Sequence, residues 1–540
     1  MPTCVEVAAR TLRELGVRQM YGLPGGEILD FIEAARQEGI DFLLVRDEAT
    51  AAFMADVQGQ VERRPGVCVS TLGPGALNMA LGVANAFLDR SPVLAVTAEL
   101  STAAAPYATH QRLDLGKVYA PFTRATFSLD GVDTRRKVQE AWQATLGPRM
   151  GPVHLGIPRD VARVEERDSG EEALPPHTPP PPVRVGEEAM AGMVHRLAAA
   201  RRPVLVVGLD LDPRSHREAV LRFVDQMGVP VFVTPKAKGI VPEDHPLFAG
   251  VCAGVAGDSL IVEFLERADL LVGIGFDPVE SDKLWHHTLP LVNVGPVSIA
   301  DGAYVPLQEV VGDVPDALDR LGAVDFGESG WDPEELTRLR ATLEACLRPD
   351  GSGGSGEGGI SPYELTRALR ELLPKETVHL TDVGSVKYVT SQAWTTYEPL
   401  TFFESNGLSS MGYAFPGAMA IRRMDPHRPI LCTVGDGGFG MTVQDLETCV
   451  RARLPFLTVV YNDSSLSLIR VAQEFRGYPN HGVDFGSVDF AAVAQGFGAW
   501  GTRIRRLEEL APAVEEALAS GRPAVIDAVL DPGEYRAHAR

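Results

Sequence analysis

Cysteine is scarce. The 540 residues hold six, Cys4, Cys68, Cys252, Cys346, Cys432 and Cys449, and no two form a CxxC pair. Most lie in apolar segments, so they read as reduced core residues of a cytoplasmic protein. No apolar run is long enough to span a bilayer. The opening Met-Pro-Thr-Cys-Val-Glu also lacks the basic and apolar regions of a secretory signal. Basic charge is in deficit as well: 50 Lys and Arg stand against 72 Asp and Glu, a formal charge of −22. Such a balance argues against nucleic acid or an anionic membrane as partner.

What is present is the composition of a globular protein, 45% hydrophobic and 23% charged. The chain is too long for one core and predicts about three domains. Two stretches break the pattern. Glu165 to Val185 carries Pro175, Pro176 and the run Pro179–Pro182, which favours stiff, extended polyproline II. Arg348 to Gly359 is a glycine- and serine-rich coil. They leave domains at 1–165, 183–345 and 360–540, each of ordinary size. The first and third open alike, with capping boxes at Thr3…Glu6 and Ser361…Glu364 ahead of an amphipathic helix and an apolar strand. Short buried strands alternating with helical segments predict an α/β chain of Rossmann-like, doubly wound parallel sheets.

One stretch carries chemistry most directly. Pro429–Val434 and Phe456–Tyr461 read as buried parallel strands, and roughly 442–453 as the crossover helix between them. This βαβ unit sets Asp436 and Asn462 at the carboxyl ends of two strands of one sheet, where open α/β sheets bind ligands. A carboxylate and an amide oxygen there suit a hard divalent cation such as magnesium. The glycines of Gly435-Asp436-Gly437-Gly438 let backbone amides approach a phosphate. By itself, Gly-Asp-Gly is also a common turn.

The pairing of that turn with Asn462-Asp463 resembles the signature of thiamine diphosphate (ThDP) enzymes, and further segments in order are similar to acetolactate synthase catalytic subunits. Val69–Asn78 resembles STGGPGATN, with Leu72 for a glycine; Thr109–Asp114 resembles the AFQE-x-D segment, with His110 and Arg112 for phenylalanine and glutamate. Thr381–Ser385 stands at TDVGQ, and Ser405–Pro416 is similar to SGGLGTMGFGLP. The resemblance implies pyrimidine-binding, central and diphosphate-binding domains in that order. It implies Glu48 as the acid that hydrogen-bonds the aminopyrimidine ring, with Gln111 in the active site; His110 beside it is a candidate proton relay. Glu48 taken alone also suits the first turn of a helix as a dipole-complementing acid. Cofactor contacts are implied at Pro24, Gly25, Gly384, Ser385, Gly407, Leu408, Met411, Gly435, Gly437, Gly438, Asn462, Ser464 and Leu466. Met411 falls on the apolar wedge that bends the cofactor. Asp436, Asn462 and the Ser464 carbonyl are the implied magnesium ligands.

The activity so implied is ThDP- and Mg²⁺-dependent decarboxylation of a 2-oxo acid with ligation to a second carbonyl compound. Simple decarboxylation, acyl transfer or carbon–carbon hydrolysis on another small substrate are the alternatives. Ala472 stands where the synthases carry an acceptor-selecting tryptophan. Gly275-Phe276-Asp277-Pro278 lacks the arginine and second aspartate of the synthases' G-x-RFDDR segment. FAD is therefore not expected in the central domain. Implied partners are the small-molecule 2-oxo acid, a carbonyl acceptor and further copies of the chain. The copies form a homodimer or homotetramer with active sites between subunits.

Overall fold

The structure is a computed structural model describing residues 1–147, 149–167, 183–280, 289–300, 305–348 and 359–539. The proline run Pro179–Pro182 and the glycine-rich stretch 349–358 lie outside the described residues.

The described residues form three six-stranded sheets. The first contains β1 (Gln19–Leu23), β2 (Asp41–Leu44), β3 (Gly66–Ser70), β4 (Val93–Glu99), β5 (Thr126–Ser128) and β6 (Val153–Pro158), in the order β2-β1-β3-β4-β6-β5. The second contains β7 (Pro203–Val207), β8 (Val231–Val233), β9 (Phe248–Val251), β10 (Leu270–Ile274), β11 (Leu291–Gly295) and β12 (Gln308–Val311), in the order β12-β11-β10-β7-β8-β9. The third contains β13 (Val378–Thr381), β14 (Phe402–Phe403), β15 (Ile430–Gly435), β16 (Leu457–Asn462), β17 (Trp500–Ile504) and β18 (Ala524–Val529), in the order β14-β13-β15-β16-β18-β17.

Every strand pair is parallel. Parallel strands covered by helices on both faces must be apolar throughout rather than alternating. That is how β3, β7, β10 and β16 are buried along their whole length. Counted from its own first strand, the third sheet repeats the strand order of the first, so the topology is duplicated. Of the two capping boxes expected, the one at Thr3 and Glu6 forms, whereas at Ser361 only one half does, the hydroxyl accepting the Glu364 N–H at 3.1 Å. The second sheet has the Rossmann order, whose switch point lies between β7 and β10.

By packing, the chain divides into two compact units. One contains Met1–Pro180, Gly407–Pro426 and Met441–Pro455, and holds the first sheet. Its centre is the helix Glu48–Glu62, buried almost all round. The helix Pro74–Leu88 crosses it at Gly82, where an added Cβ would stand 2.5 Å from that of Ala52. The later helix Ala414–Met424 packs on it too: the Phe53 and Tyr413 rings meet edge to face at 5.8 Å, and Gln60 donates to the Tyr413 hydroxyl at 3.2 Å.

The other unit contains Pro181–Asn406, His427–Gly440 and Phe456–Arg540, and holds the second and third sheets. Among the described residues no helix is long and apolar enough to cross a membrane.

Candidate active site

In the third sheet, β13, β15 and β16 are neighbours, and their carboxyl ends bring three turns together. Gly384 and Ser385 follow β13, Gly435–Gly438 close β15, and Asn462–Ser464 close β16. Gly435 is in register with Tyr461, so Asp436 and Asn462 are the next residues on adjacent strands. The crossover after β15 differs from the single helix expected at roughly 442–453. A helix begins at Asp436 itself and ends at Thr442, and after a 3-10 turn at Val443–Asp445 a second helix runs Leu446–Ala452. Asp436 starts the first helix because its carboxylate accepts the Gly437 N–H at 2.7 Å. The break follows from Asp445, which turns inward to accept from the Arg46 N–H (2.8 Å) and the Thr50 hydroxyl (2.7 Å).

The other oxygen of Asp436 accepts the N–H groups of Asp463 (3.1 Å) and Ser464 (2.5 Å), tying the two strand ends together. Ser464 reaches this position with φ +59°, a left-handed conformation that non-glycine residues adopt rarely. Asp436 is 4% exposed. Burial, then the Asp463 carboxylate beside it, raises its pKa to about 7 against the pull of the three N–H groups. Burial likewise lifts Asp463 to about 6.

Asn462 is buried, and its NH₂ donates to the Val488 carbonyl (3.0 Å) and to Asp527 (2.8 Å). With both amide hydrogens committed, the amide presents its oxygen away from these partners. The Ser464 carbonyl accepts the Phe485 N–H at 3.1 Å and keeps a second lone pair. Leu466 precedes the helix Ser467–Phe475 and donates its N–H to the Val483 carbonyl at 2.8 Å.

At the end of β13, Gly384 has φ +122°, and an added Cβ there would meet nothing within 4 Å. Ser385 starts the nine-residue helix Ser385–Ala393, and its Oγ is buried without a hydrogen-bond partner among the described residues. A buried hydroxyl without a partner at a helix N-terminus, next to the open space at Gly384, suits an anion's oxygen. No group of three or more His, Cys, Asp or Glu side chains among the described residues is arranged to hold a metal. Magnesium does not require one, since it is commonly bound by one or two carboxylates with phosphate oxygens and water. The residues at these three turns therefore fit a metal-bound diphosphate.

The first sheet has its own cluster at the carboxyl ends of β2, β1 and β3. Glu48 opens the helix Glu48–Glu62 behind the N-cap Asp47, which accepts the Ala49 N–H at 2.7 Å. An acid serving only the helix dipole would sit in solvent, whereas Glu48 is 4% exposed and accepts from Asn78 Nδ2 at 3.2 Å. A Cβ on Gly75 would stand 2.8 Å from Glu48 Oε1, so only glycine leaves the carboxylate its place. Gln111, at φ +51°, lays its side chain over Gly73, 3.2 Å from where a Cβ would be. Gly25 follows β1 and abuts Thr71, whose side chain a Cβ would meet at 2.5 Å. Pro24 and His110 are exposed.

Gly407, Leu408 and Met411 belong to the same unit as this cluster. The Gly407 N–H donates to Asp89 at 3.1 Å, and Leu408 is half-buried. Met411 lines a cavity of about 350 Å³ with Asp47, Thr50, Phe53 and Asn78.

Lys387, by sequence either a charge for this turn or a solvent-facing lysine, does not face solvent: it is 3% exposed and pairs with the fully buried Glu404 at 3.0 Å, donating also to Asn406 Oδ1 at 2.8 Å. Asp527 was missed by the motifs; it is a carboxylate inside the apolar strand Ala524–Val529, which is the local sign that something nearby needs it.

At the switch point of the second sheet the connecting loops come close together. The loops after β7 and β10 touch, since a Cβ on Gly208 would stand 2.7 Å from the Gly275 carbonyl oxygen, and Leu211 and Phe276 are buried there. The Glu280 carboxylate accepts the N–H groups of Leu209 (3.1 Å) and Lys236 (3.2 Å) and the Thr234 hydroxyl (2.6 Å).

Comparison with known proteins gives the family. Residues 2–118 match the thiamine pyrophosphate enzyme N-terminal TPP binding domain, 190–321 the central domain and 382–528 the C-terminal TPP binding domain. The acetolactate synthase of Bacillus subtilis (strain 168) is 28% identical over 539 residues, covering 97% of this chain and 93% of its own. A probable acetolactate synthase large subunit of Methanocaldococcus jannaschii is also 28% identical, covering 98% and 92%. So is a putative thiamine pyrophosphate-containing protein of Bacillus subtilis, YdaP, with the same coverage. Three domain matches in order, on two sheets of one topology flanking a Rossmann sheet, lead to one conclusion: the chain belongs to the thiamine pyrophosphate-dependent enzymes.

Proposed function

We propose that this enzyme uses thiamine diphosphate and Mg²⁺ to decarboxylate a 2-oxo acid and join the remaining acyl unit to a second carbonyl compound, as the name acetolactate synthase describes for its relatives. The observation that carries the reading is the pair at the ends of β15 and β16. Asp436 is locked by three N–H groups, and Asn462 is oriented by Asp527 and Val488 to offer its oxygen. When bound, the cofactor supplies a carbon nucleophile that adds to the oxo group and takes up the electron pair left by carbon dioxide.

The chain's own residues do the rest. Asp436, Asn462 and the Ser464 carbonyl hold the cation. Gly384, Ser385, Gly435, Gly437, Gly438 and Leu466 frame the diphosphate with backbone and hydroxyl donors. Pro24, Gly25, Gly407, Leu408 and Met411 shape the remainder of the cofactor site. Glu48 passes a proton to and from the pyrimidine ring nitrogen, held in place by Asn78 and by the bare backbone of Gly75. Gln111 orients the substrate, with His110 beside it on the exposed side.

On this reading 1–165 is the pyrimidine-binding domain, 183–345 the central domain and 360–540 the diphosphate-binding domain. The enzyme works in the cytoplasm as a homodimer or homotetramer whose sites lie between subunits. The central domain takes no FAD on this reading, because the Glu280 carboxyl group already takes up donors that a phosphate there would need.

A second reading, simple decarboxylation, is favoured by Ala472: it leaves the helix Ser467–Phe475 without the aromatic wall that selects an acceptor. A screen of the purified enzyme with thiamine diphosphate and Mg²⁺ decides between them. Pyruvate, glyoxylate, 2-oxobutyrate and benzoylformate are supplied, and carbon dioxide release and ligation products are followed separately. Release without ligation on every acid would discard the carboligase reading, and no release on any would discard both.

A further inference from the structure

The helix Ser385–Ala393 presents Gly384 and the unpartnered Ser385 hydroxyl at one end, and the second sheet grips the other end. Lys238, from the loop after β8, is 2% exposed and donates to the carbonyls of Ser391 (2.7 Å) and Trp394 (3.2 Å). These belong to the last turn, whose carbonyls a helix leaves unpaired, and a cation there also complements the helix dipole. The ammonium is neutralised by Glu243 at 2.6 Å and lies 4.7 Å from the centre of the Phe402 ring.

Two further attachments reach the same helix. Gln392 donates to the Val251 carbonyl at 2.7 Å and accepts the Val251 N–H at 3.4 Å, so its amide extends the edge strand β9. The Ala256 N–H donates to the Tyr388 carbonyl at 3.2 Å. A nine-residue helix is a rod of about 13 Å, and what holds its last turn also sets where its first turn points.

We propose that Lys238, with Glu243 and Gln392, forms a clamp through which the central domain positions the diphosphate-binding turn at Gly384–Ser385. This gives a central domain whose switch point is filled by Glu280 a task of its own: it aims a helix instead of holding a nucleotide. Lys238 is a positioning residue on this account and touches neither cofactor nor substrate. The inference rests on the diphosphate reading of the preceding subsection.

The test uses the full-length enzyme and reads thiamine diphosphate binding by calorimetry in the presence of Mg²⁺, together with the melting temperature of the cofactor-free protein. Lys238→Met is combined with Glu243→Gln, because removing one partner alone leaves a buried charge uncompensated. Gln392→Ala, at a half-buried position, keeps the test alive if the double variant does not fold. Ile261→Val, in the central core and outside the clamp, serves as the stability control.

The expected result is a Kd for thiamine diphosphate raised about tenfold or more in both clamp variants, in the range seen for residues that orient ligands indirectly. Turnover at saturating cofactor stays close to wild type, and the control keeps wild-type affinity at a comparable loss of melting temperature. Unchanged affinity in the clamp variants, or an equal loss in Ile261→Val, overturns the clamp. A wild-type enzyme that takes up no thiamine diphosphate overturns the diphosphate reading itself, and the clamp with it.

Discussion

Asp527 accepts an amide hydrogen of Asn462 at 2.8 Å across 65 residues of sequence, and its second oxygen takes the Phe490 N–H at 2.9 Å. The carboxylate is fully buried, 3.4 Å from the Arg503 guanidinium, and burial raises its pKa. Its geometric effect is to fix which side of the Asn462 amide carries the NH₂ and so where its oxygen is offered. Replacing Asp527 by Ala leaves one amide hydrogen without its acceptor and lets the group turn over. The affinity for Mg²⁺ with thiamine diphosphate is expected to fall about 10- to 100-fold, the usual cost of losing a residue that orients a ligand. Calorimetric titration of the folded variant measures it, and wild-type affinity would remove Asp527 from the account.

Asp436→Ala removes the carboxylate between the two strand ends. Uptake of both Mg²⁺ and thiamine diphosphate is expected to be lost, while the fold, which rests on the apolar interiors of β15 and β16, persists by circular dichroism. Unchanged binding in calorimetry would rule out the metal role.

Glu48→Gln keeps the shape and the contact with Asn78 and removes only the proton exchange. Cofactor binding is expected to be retained and turnover to drop about 10²–10⁴-fold, the size of a general acid–base contribution. Hydrogen exchange at the thiazolium carbon, followed by NMR, separates the two effects; a normal exchange rate would contradict the assignment. Gly75→Ala offers a steric counterpart. Its methyl group meets Glu48 Oε1 at 2.8 Å, so activity falls although no functional group is removed.

Stability should depend on pH through Glu280. Burial raises its pKa from the ordinary 4.5 to about 8, with Asp277 adding to the rise and the Thr234 hydroxyl, Lys236 and its N–H opposing it. A folded-state pKa above the unfolded one means that the folded protein binds the proton more tightly. The contribution is complete below about pH 4.5 and is lost as pH rises through about 8. One such group tilts unfolding free energy by up to about 1.4 kcal/mol per pH unit between those limits. Glu280→Gln is expected to flatten that slope in urea melts across the interval, and an unaltered slope would show that Glu280 does not titrate there.

The purified protein is expected to be colourless. Flavin absorbance in stoichiometric amount, released on denaturation, would overturn the reading of the switch point.

Much of the architecture was legible because its causes are local. Continuous apolar runs bounded by turn residues mark buried parallel strands, and the spacing of one crossover put Asp436 and Asn462 on neighbouring strand ends. The similar helix starts at Thr3…Glu6 and Ser361…Glu364 pointed to the duplicated topology for the same reason: a helix start is written within four residues. The helix break at Val443–Asp445 was not legible, because Asp445 breaks it by turning to Arg46 and Thr50, about four hundred residues earlier.

The sequence by itself determined which residues end which strands, and so which carboxylates, amides and glycines gather at each turn. Only the tertiary structure decided how those groups are aimed. Asn462 is oriented by Asp527, Glu48 is buried under Gly75 and Asn78, and the Ser385 helix is held by Lys238, 153 residues away from the Ser391 carbonyl it binds. Local patterning sets backbone direction, whereas the orientation of a buried polar side chain depends on partners that folding alone brings within hydrogen-bond distance.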